Sequence, residues 1–374
     1  MANPETTETS INHHYVPIWY QSRFLASGET KLAILNLFPK KWPKPDGTFV
    51  IGPSVHHRAP SGWFSSPHLY DITSSGLPSD FVEKMWFGDI DTYGARALVA
   101  LSEDDFNKWH EHHRQFFDHL GAQKLRTPRG LAFLKAISKN TDQDALMQNL
   151  LGLTDMFTTM WVEGKMEIFE TESPESRFVF TDSPVTFFNR HFSPMESRRG
   201  QDPPFSWKGT QTLYPLDPHR LLVFTHLEGT KILTREVARQ HRTNARFQKN
   251  TIARTDSCIR GRKLSREQVI QVNYVLKMAA YTYVAAQHPD DLYPEKQAPL
   301  VAWKDTASGL IPQFESHPGG RIFMSSGDGG FITQDEHGRT PKTQVELNDF
   351  KAEAERMRQH LFRLLREQKP FGKL

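Results

Sequence analysis

The sequence predicts an α+β protein, with an antiparallel central sheet packed by helices and a C-terminal hairpin-and-helix appendage. Three features predict it. Apolar residues recur at helical spacing from Asp80 to Thr159. Strand-length runs of β-branched and aromatic residues follow between Met166 and Thr225, separated by turn residues. Helical spacing then returns from Thr234 to Gln287. A chain of 374 residues has room for two domains or one large one, and its 26 phenylalanines and 8 tryptophans supply large buried areas. The reading divides it into a tail at 1–11, a core at 12–288, and an appendage at 289–374 docked on that core.

Tyr15 to Ala26 is aromatic and apolar and packs inward; Pro39 to Pro78 reads as loops with short strands at Thr48–Ile51 and Trp63–Phe64. Asp80 with Glu83 forms a capping-box pattern, and Ser102 with Asp105 opens the next helix, ending near Gly121. Pro128 suits a first helical turn, and a longer helix covers Asp142 to Thr159. Met166–Glu170 and Arg177–Phe188 read as strands, and Leu213–Tyr214 with Leu221–Thr225 as a strand pair around Leu216-Asp217-Pro218-His219. Thr234 to Thr251 reads as helical, and Ser265 with Gln268 caps a last core helix reaching Gln287. Pro289 to Pro299 is a linker. Arg321–Phe323 and Phe331–Thr333 form a hairpin, and Val345 to Glu367 an amphipathic helix.

No apolar run approaches the roughly 18 residues of a membrane helix, and the polar N-terminus shows no signal-peptide pattern. Cys258 is the sole cysteine, which excludes an internal disulfide and a multi-cysteine zinc site. A cytoplasmic protein without a membrane partner is expected. The net charge of +3 is small, but eleven of the residues from Lys231 to Arg266 are Lys or Arg, opposed only by Glu236 and Asp256. That segment is where a nucleic-acid partner is expected.

Several short motifs stand in a telling order. His13-His14-Tyr15-Val16-Pro17 is followed by Tyr20 and Arg23-Phe24, then by Arg126-Thr127-Pro128, Thr181-Asp182-Ser183-Pro184-Val185, Pro215-Leu216-Asp217-Pro218 and Asn273. Together they resemble domain-of-unknown-function family 4238, the "HYVP" family of bacterial proteins, over roughly residues 12 to 287. His13 is extra, Asp91 stands where a glutamate is expected, and the appendage lies outside the likeness. The resemblance implies relatives and no particular reaction.

Two residues lead the candidates. His14, in a segment kept extended by Pro17, can serve as a ligand or general base; the plainer reading is a buried anchor bonded to backbone carbonyls. Asp182, at a strand end before Ser-Pro, can bind a metal or orient a histidine, or simply accept backbone N–H groups. Arg235, Arg239, Arg242 and Arg246 recur at helical spacing and would form a phosphate-binding stripe, or an exposed salt-bridged face. The histidines between Trp109 and His119 lack zincin spacing and read as a solvated helix face. Glu163-Gly164-Lys165 is a weak nuclease match. The leading expectation is therefore a nucleic-acid-processing hydrolase, a metal-dependent nuclease of toxin or defence type. In it His14 and Asp182 activate water or hold a divalent metal ion. The alternatives are a non-catalytic module that binds nucleic acid or protein through the basic segment, and an enzyme of small metabolites. The pocket of the latter would draw on His14, Tyr20, Arg23, Arg126 and Asn273.

Overall fold

The computed structural model describes residues 12–71, 82–103, 105–138, 142–162, 164–226, 234–242 and 258–297, with shorter pieces at 303, 309–310, 322–325, 331–334, 343–349 and 352. The N-terminal part holds β1 (Asn12–His14), α1 (Ile18–Ser22), β2 (Leu32–Asn36), β3 (Lys41–Pro43), β4 (Phe49–Ile51), β5 (Val55–Arg58) and β6 (Ser65–Pro67). A wide helical turn at Val82–Phe87 leads into α2 (Gly88–Ser102), α3 (Phe106–Leu125), α4 (Pro128–Ser138) and α5 (Gln143–Val162). Next come β7 (Lys165–Thr171), β8 (Phe180–Thr181), β9 (Thr186–Asn189), α6 (Pro194–Arg198), β10 (Thr210–Asp217), β11 (Arg220–Thr225) and α7 (Arg235–Ala238). β12 (Cys258–Leu264), α8 (Arg266–Ala279), β13 (Tyr283–Ala286), β14 (Ile322–Ser325) and β15 (Phe331–Gln334) complete the described elements.

The fold is α+β, built on two sheets. The larger runs β12-β7-β11-β10-β9 and the smaller β5-β2-β13-β8. The smaller is antiparallel throughout, whereas β7 and β12 pair in parallel, so the larger sheet is mixed. Strand alternation gives the larger sheet two apolar faces. Met166, Ile168, Leu222, Phe224 and Tyr214 join one core with α2 to α5. Phe169, Leu213, Leu221 and Val223 join a second core with α8, β2 and β13. No described helix is long and apolar enough to cross a membrane.

Several elements differ from the sequence expectation. Asp105, not Ser102, caps α3, accepting the Lys108 N–H at 3.1 Å, and α3 runs on to Leu125. The Arg177–Phe188 run is broken at Asp182-Ser183-Pro184, so that β8 joins the small sheet and β9 the large one. The capping box of Ser265 and Gln268 forms, but α8 stops at Ala279 and Tyr283–Ala286 becomes a strand inside the small sheet. The helix from Thr234 ends at Ala238, after which Arg242 N–H donates to the Ser206 carbonyl at 2.8 Å. Residues 243–251 lie outside the described residues, as do Asp80 and Glu163 of the motifs above. Trp63-Phe64 is not a strand; Phe64 sits at φ 56°, its carbonyl accepting the Tyr15 N–H at 3.0 Å.

The described stretch after residue 288 is packed, not a bare linker. Two tight helical turns at Pro289–Leu292 and Pro294–Lys296 are tied down by Lys277, whose Nζ donates to the Leu292 carbonyl and to Glu295. Leu292, Trp303 and Leu310 are buried in the second core, and the Gln211 side chain donates to the Leu310 carbonyl at 3.0 Å. The hairpin of β14 and β15 forms as expected; Phe350 to Glu367 falls almost wholly outside the described residues.

Because Leu310 is a buried core side chain, Leu310→Ala should lower stability by about 2–5 kcal/mol in urea unfolding. Val345→Ala, at an exposed position, should stay within about 0.5 kcal/mol. Equal effects for the two would show that the segment after 288 adds nothing to the core.

Candidate functional site

Each motif residue proves to hold something in place. Asp182 is buried, and its carboxylate accepts three main-chain hydrogen bonds, from Tyr281 N–H at 2.8 Å, Thr282 at 2.6 Å and Tyr283 at 2.9 Å. That is the turn between α8 and β13, and the bonds occupy both oxygens. His14 is half-buried, and its Nε2 lies 3.4 Å from the Ser61 carbonyl; burial lowers its pKa and that carbonyl partly restores it. No hydrogen bond or ion pair joins His14 to Asp182. The signature residue beside Asp182 is Tyr15, whose hydroxyl feels the carboxylate's charge. Among the described residues no group of three or more His, Cys, Asp or Glu side chains could hold a metal ion. The paired acid and base expected from sequence are thus engaged separately, each in an anchoring contact.

The pocket residues divide the same way. Asn273 accepts the Val179 N–H at 3.0 Å and donates to the Arg177 carbonyl at 2.7 Å, joining α8 to the segment before β8. Tyr20 is fully buried and donates to the Pro215 carbonyl at 2.7 Å. Arg126 is buried and grips Asp91 with two parallel bonds, at 2.8 and 2.9 Å, with Gln123 Oε1 filling the rest of its fork. Of the four, Arg23 alone lines a large cleft; Asn273 lines a separate, smaller one.

Asp91 also meets His119, and here the histidine run departs from the solvated face expected. Trp109 and His119 are buried. His119 Nδ1 lies 3.2 Å from Asp91 Oδ1, and Nε2 lies 3.2 Å from the Tyr214 hydroxyl. A carboxylate can only accept, so Nδ1 carries the hydrogen and Nε2 accepts from Tyr214. Burial works to raise the Asp91 pKa, but Arg126 and His119 together bring it below the usual carboxylate value; burial keeps His119 neutral. Gly94 makes room for this chain, since a Cβ there would lie 2.6 Å from the His119 Cβ. Tyr20 stacks on Tyr214 at 5.2 Å and closes the far end.

The arginine stripe does not form as one helix face. Arg235 is exposed. Arg239 donates to the His191 carbonyl at 2.9 Å and lies over Trp207. Arg242 stands against His226, and Arg246 lies outside the described residues. Of the other basic residues, Arg262 pairs with buried Glu167, and Arg260 donates to the Leu101 carbonyl. Much of the local charge excess is therefore neutralised or bonded within the fold.

What sequence reading missed lies at the turn between β10 and β11. A cleft of about 690 Å³ is lined by Arg23, Glu170, Glu172, Asp217, His219 and Arg220, among others. One carboxylate organises it. Asp217 Oδ1 accepts the His219 N–H at 2.9 Å, and Oδ2 accepts from Arg220 Nε at 2.8 Å and Arg23 Nη2 at 3.4 Å. Arg23 Nε also donates to the Leu216 carbonyl at 2.8 Å, so the opening signature and the Pro215–Pro218 motif meet at this rim. His219 Nδ1 lies 3.2 Å from both the Ser176 carbonyl and the Thr171 hydroxyl. The signal that could have found it was a histidine directly after Asp-Pro in a tight strand-to-strand turn.

The family described as protein of unknown function (DUF4238) matches residues 12–290 of the chain. No curated protein and no solved structure matches.

Two substitutions separate anchoring from catalysis. Asp182→Asn sets an amide N–H among three N–H donors and should cost about 1–3 kcal/mol; an unchanged urea midpoint would refute the anchoring role. Asp91→Asn leaves the buried Arg126 guanidinium without its charge partner and should cost about 3–5 kcal/mol. Asp91 has a lowered folded pKa, so its contribution is present above the ordinary aspartate value near about 4 and is lost as pH falls through the lower folded value. Stability titrated from neutral pH downward should fall less steeply in Asp91→Asn than in the wild type.

Proposed function

The chain belongs to the DUF4238 family, and we propose that it is an enzyme acting on a small polar molecule held in the β10–β11 cleft, with His219 as general base. One observation carries this reading. The Ser176 carbonyl, 3.2 Å from His219 Nδ1, can only accept, so Nδ1 carries the hydrogen and Nε2 keeps its lone pair. An imidazole fixed in one tautomer on the wall of an open cleft is equipped to take a proton from water or from a substrate hydroxyl. Arg23 and Arg220, locked by Asp217, offer guanidinium donors beside it. Glu170 stands directly across from Arg220 in the β7–β11 pairing, and with Glu172 it brings negative charge to the same rim. A lining of two guanidiniums and three carboxylates suits a zwitterionic or hydroxyl-rich molecule. It suits the single-signed backbone of a nucleic acid less well.

Hydrolysis of nucleic acid by His14, Asp182 and a divalent ion ranks below this reading, because those side chains already hold backbone groups and the basic segment is largely bonded. A cytoplasmic setting fits a chain with one cysteine.

The test is to incubate the protein with a pool of small metabolites and follow depletion by mass spectrometry. His219→Gln keeps an N–H for the Ser176 carbonyl and should fold normally while slowing depletion by about 10²–10⁴-fold. Depletion unaffected by that substitution, or cleavage of nucleic acid with no metabolite consumed, would overturn the proposal.

A further inference from the structure

β3 and β4 form a two-stranded arm that pairs with no other strand among the described residues. Its register sets Trp42 opposite Val50, Lys41 opposite Ile51 and Pro43 opposite Phe49, so apolar side chains stand on both of its faces. Phe38, at its root, is 61% exposed, Trp42 50% and Phe49 59%, and Val50 and Ile51 are exposed as well. A soluble surface seldom leaves so many large apolar groups together without use.

The charge around them has one sign. Lys40, Lys41 and Lys44 are exposed on the arm. Between Thr30 and Tyr70 the only acid is Asp46, whose carboxylate is bonded to the Thr48 N–H and hydroxyl within the turn. The rings are also supported from behind. The Arg198 guanidinium lies 4.6 Å from the Phe38 ring centre, and the Trp42 indole rests against Gly52, where a Cβ would come within 2.9 Å of it. Each ring is backed on one side and open on the rest, beside cations.

We infer that this arm is a platform for single-stranded nucleic acid, with Phe38, Trp42 and Phe49 stacking on bases and Lys40, Lys41, Lys44 and Arg198 contacting phosphates. A lipid surface fits less well. The far end of the arm, Lys44 to Thr48, is polar and carries Asp46, so insertion tip-first would bury charge before any apolar side chain. The platform is separate from the β10–β11 cleft and stands or falls without it.

The full-length protein is titrated by fluorescence anisotropy with labelled oligo-dT and oligo-rU of about 20 nucleotides, and with a duplex of equal length, from about 50 to 200 mM salt. Single strands should bind, DNA and RNA alike, and more tightly than the duplex. Four cations on single-stranded phosphates predict a log–log salt slope of about −3. Trp42→Ala should weaken binding by roughly five- to a hundredfold. Replacing Lys40, Lys41 and Lys44 by Gln should flatten the slope by about two units. Melting temperatures of both variants near the wild type's confirm that folding is not the cause, and His219→Gln should bind as the wild type does. The inference is overturned by absent binding at the lowest salt, or by binding that Trp42→Ala leaves unchanged, which would move the surface to residues 231–266. It is overturned equally if Trp42 is needed instead for sedimentation with anionic vesicles or for self-association in size-exclusion chromatography.

Discussion

Three main-chain N–H groups converge on the carboxylate of Asp182, and the arrangement of both sheets depends on it. α8 has to stop at Ala279 and the chain has to turn at once into β13, which lies between β2 and β8. Such a turn frees buried donors that no strand or helix can pair. Leaving each unsatisfied would cost on the order of 1–3 kcal/mol. A neutral acceptor offers too few lone pairs in one place; an ionised carboxylate offers about four. The short break of Asp-Ser-Pro between β8 and β9 delivers that carboxylate while passing the chain from the small sheet to the large one.

The same device recurs wherever distant segments cross. Asn273 closes α8 onto the approach to β8, Tyr20 and Arg23 close α1 onto the end of β10, and Gln123 donates from α3 to the Tyr15 carbonyl at 2.8 Å. In each case a side chain satisfies main-chain groups that the irregular connection would strand. A polar residue chosen for that purpose is as restricted in identity as a catalytic one, because acceptor number, reach and burial are all fixed. The motifs that look chemical in the sequence are mostly these clamps.

How much could be read from sequence follows from this physics. Periodicity located α2 to α5 and the strands β7, β10 and β11, because burial of one face is a local property of the chain. It overran at Gln287 and Thr251, since what ends α8 is a carboxylate about 100 positions away and what turns the chain after Ala238 is the carbonyl of Ser206. His119 was misplaced for a related reason. A histidine among charged neighbours looks solvated, and only the packing of α2 on α3 through Gly94 shows that Asp91 and Tyr214 receive both of its nitrogens. The basic run misled most. Counting charges along the chain cannot reveal that Arg262 faces Glu167 or that Arg239 caps a carbonyl.

The β10–β11 cleft is where clamping and openness coincide, and that gives it more weight than the motifs taken singly. Asp217 performs a structural task with each oxygen, shaping the turn with one and holding Arg23 and Arg220 with the other. Yet its partners remain at a solvent-open surface instead of vanishing into the core as Asp91, Arg126 and His119 do. Preorganised donors beside a histidine of fixed tautomer need little reorganisation when a ligand arrives. A purely structural turn of two strands would need only Asp217 and a hydrophobic cap. Bringing the opening signature's arginine to that rim, and anchoring His219 from the Ser176 carbonyl behind it, adds nothing the turn itself requires.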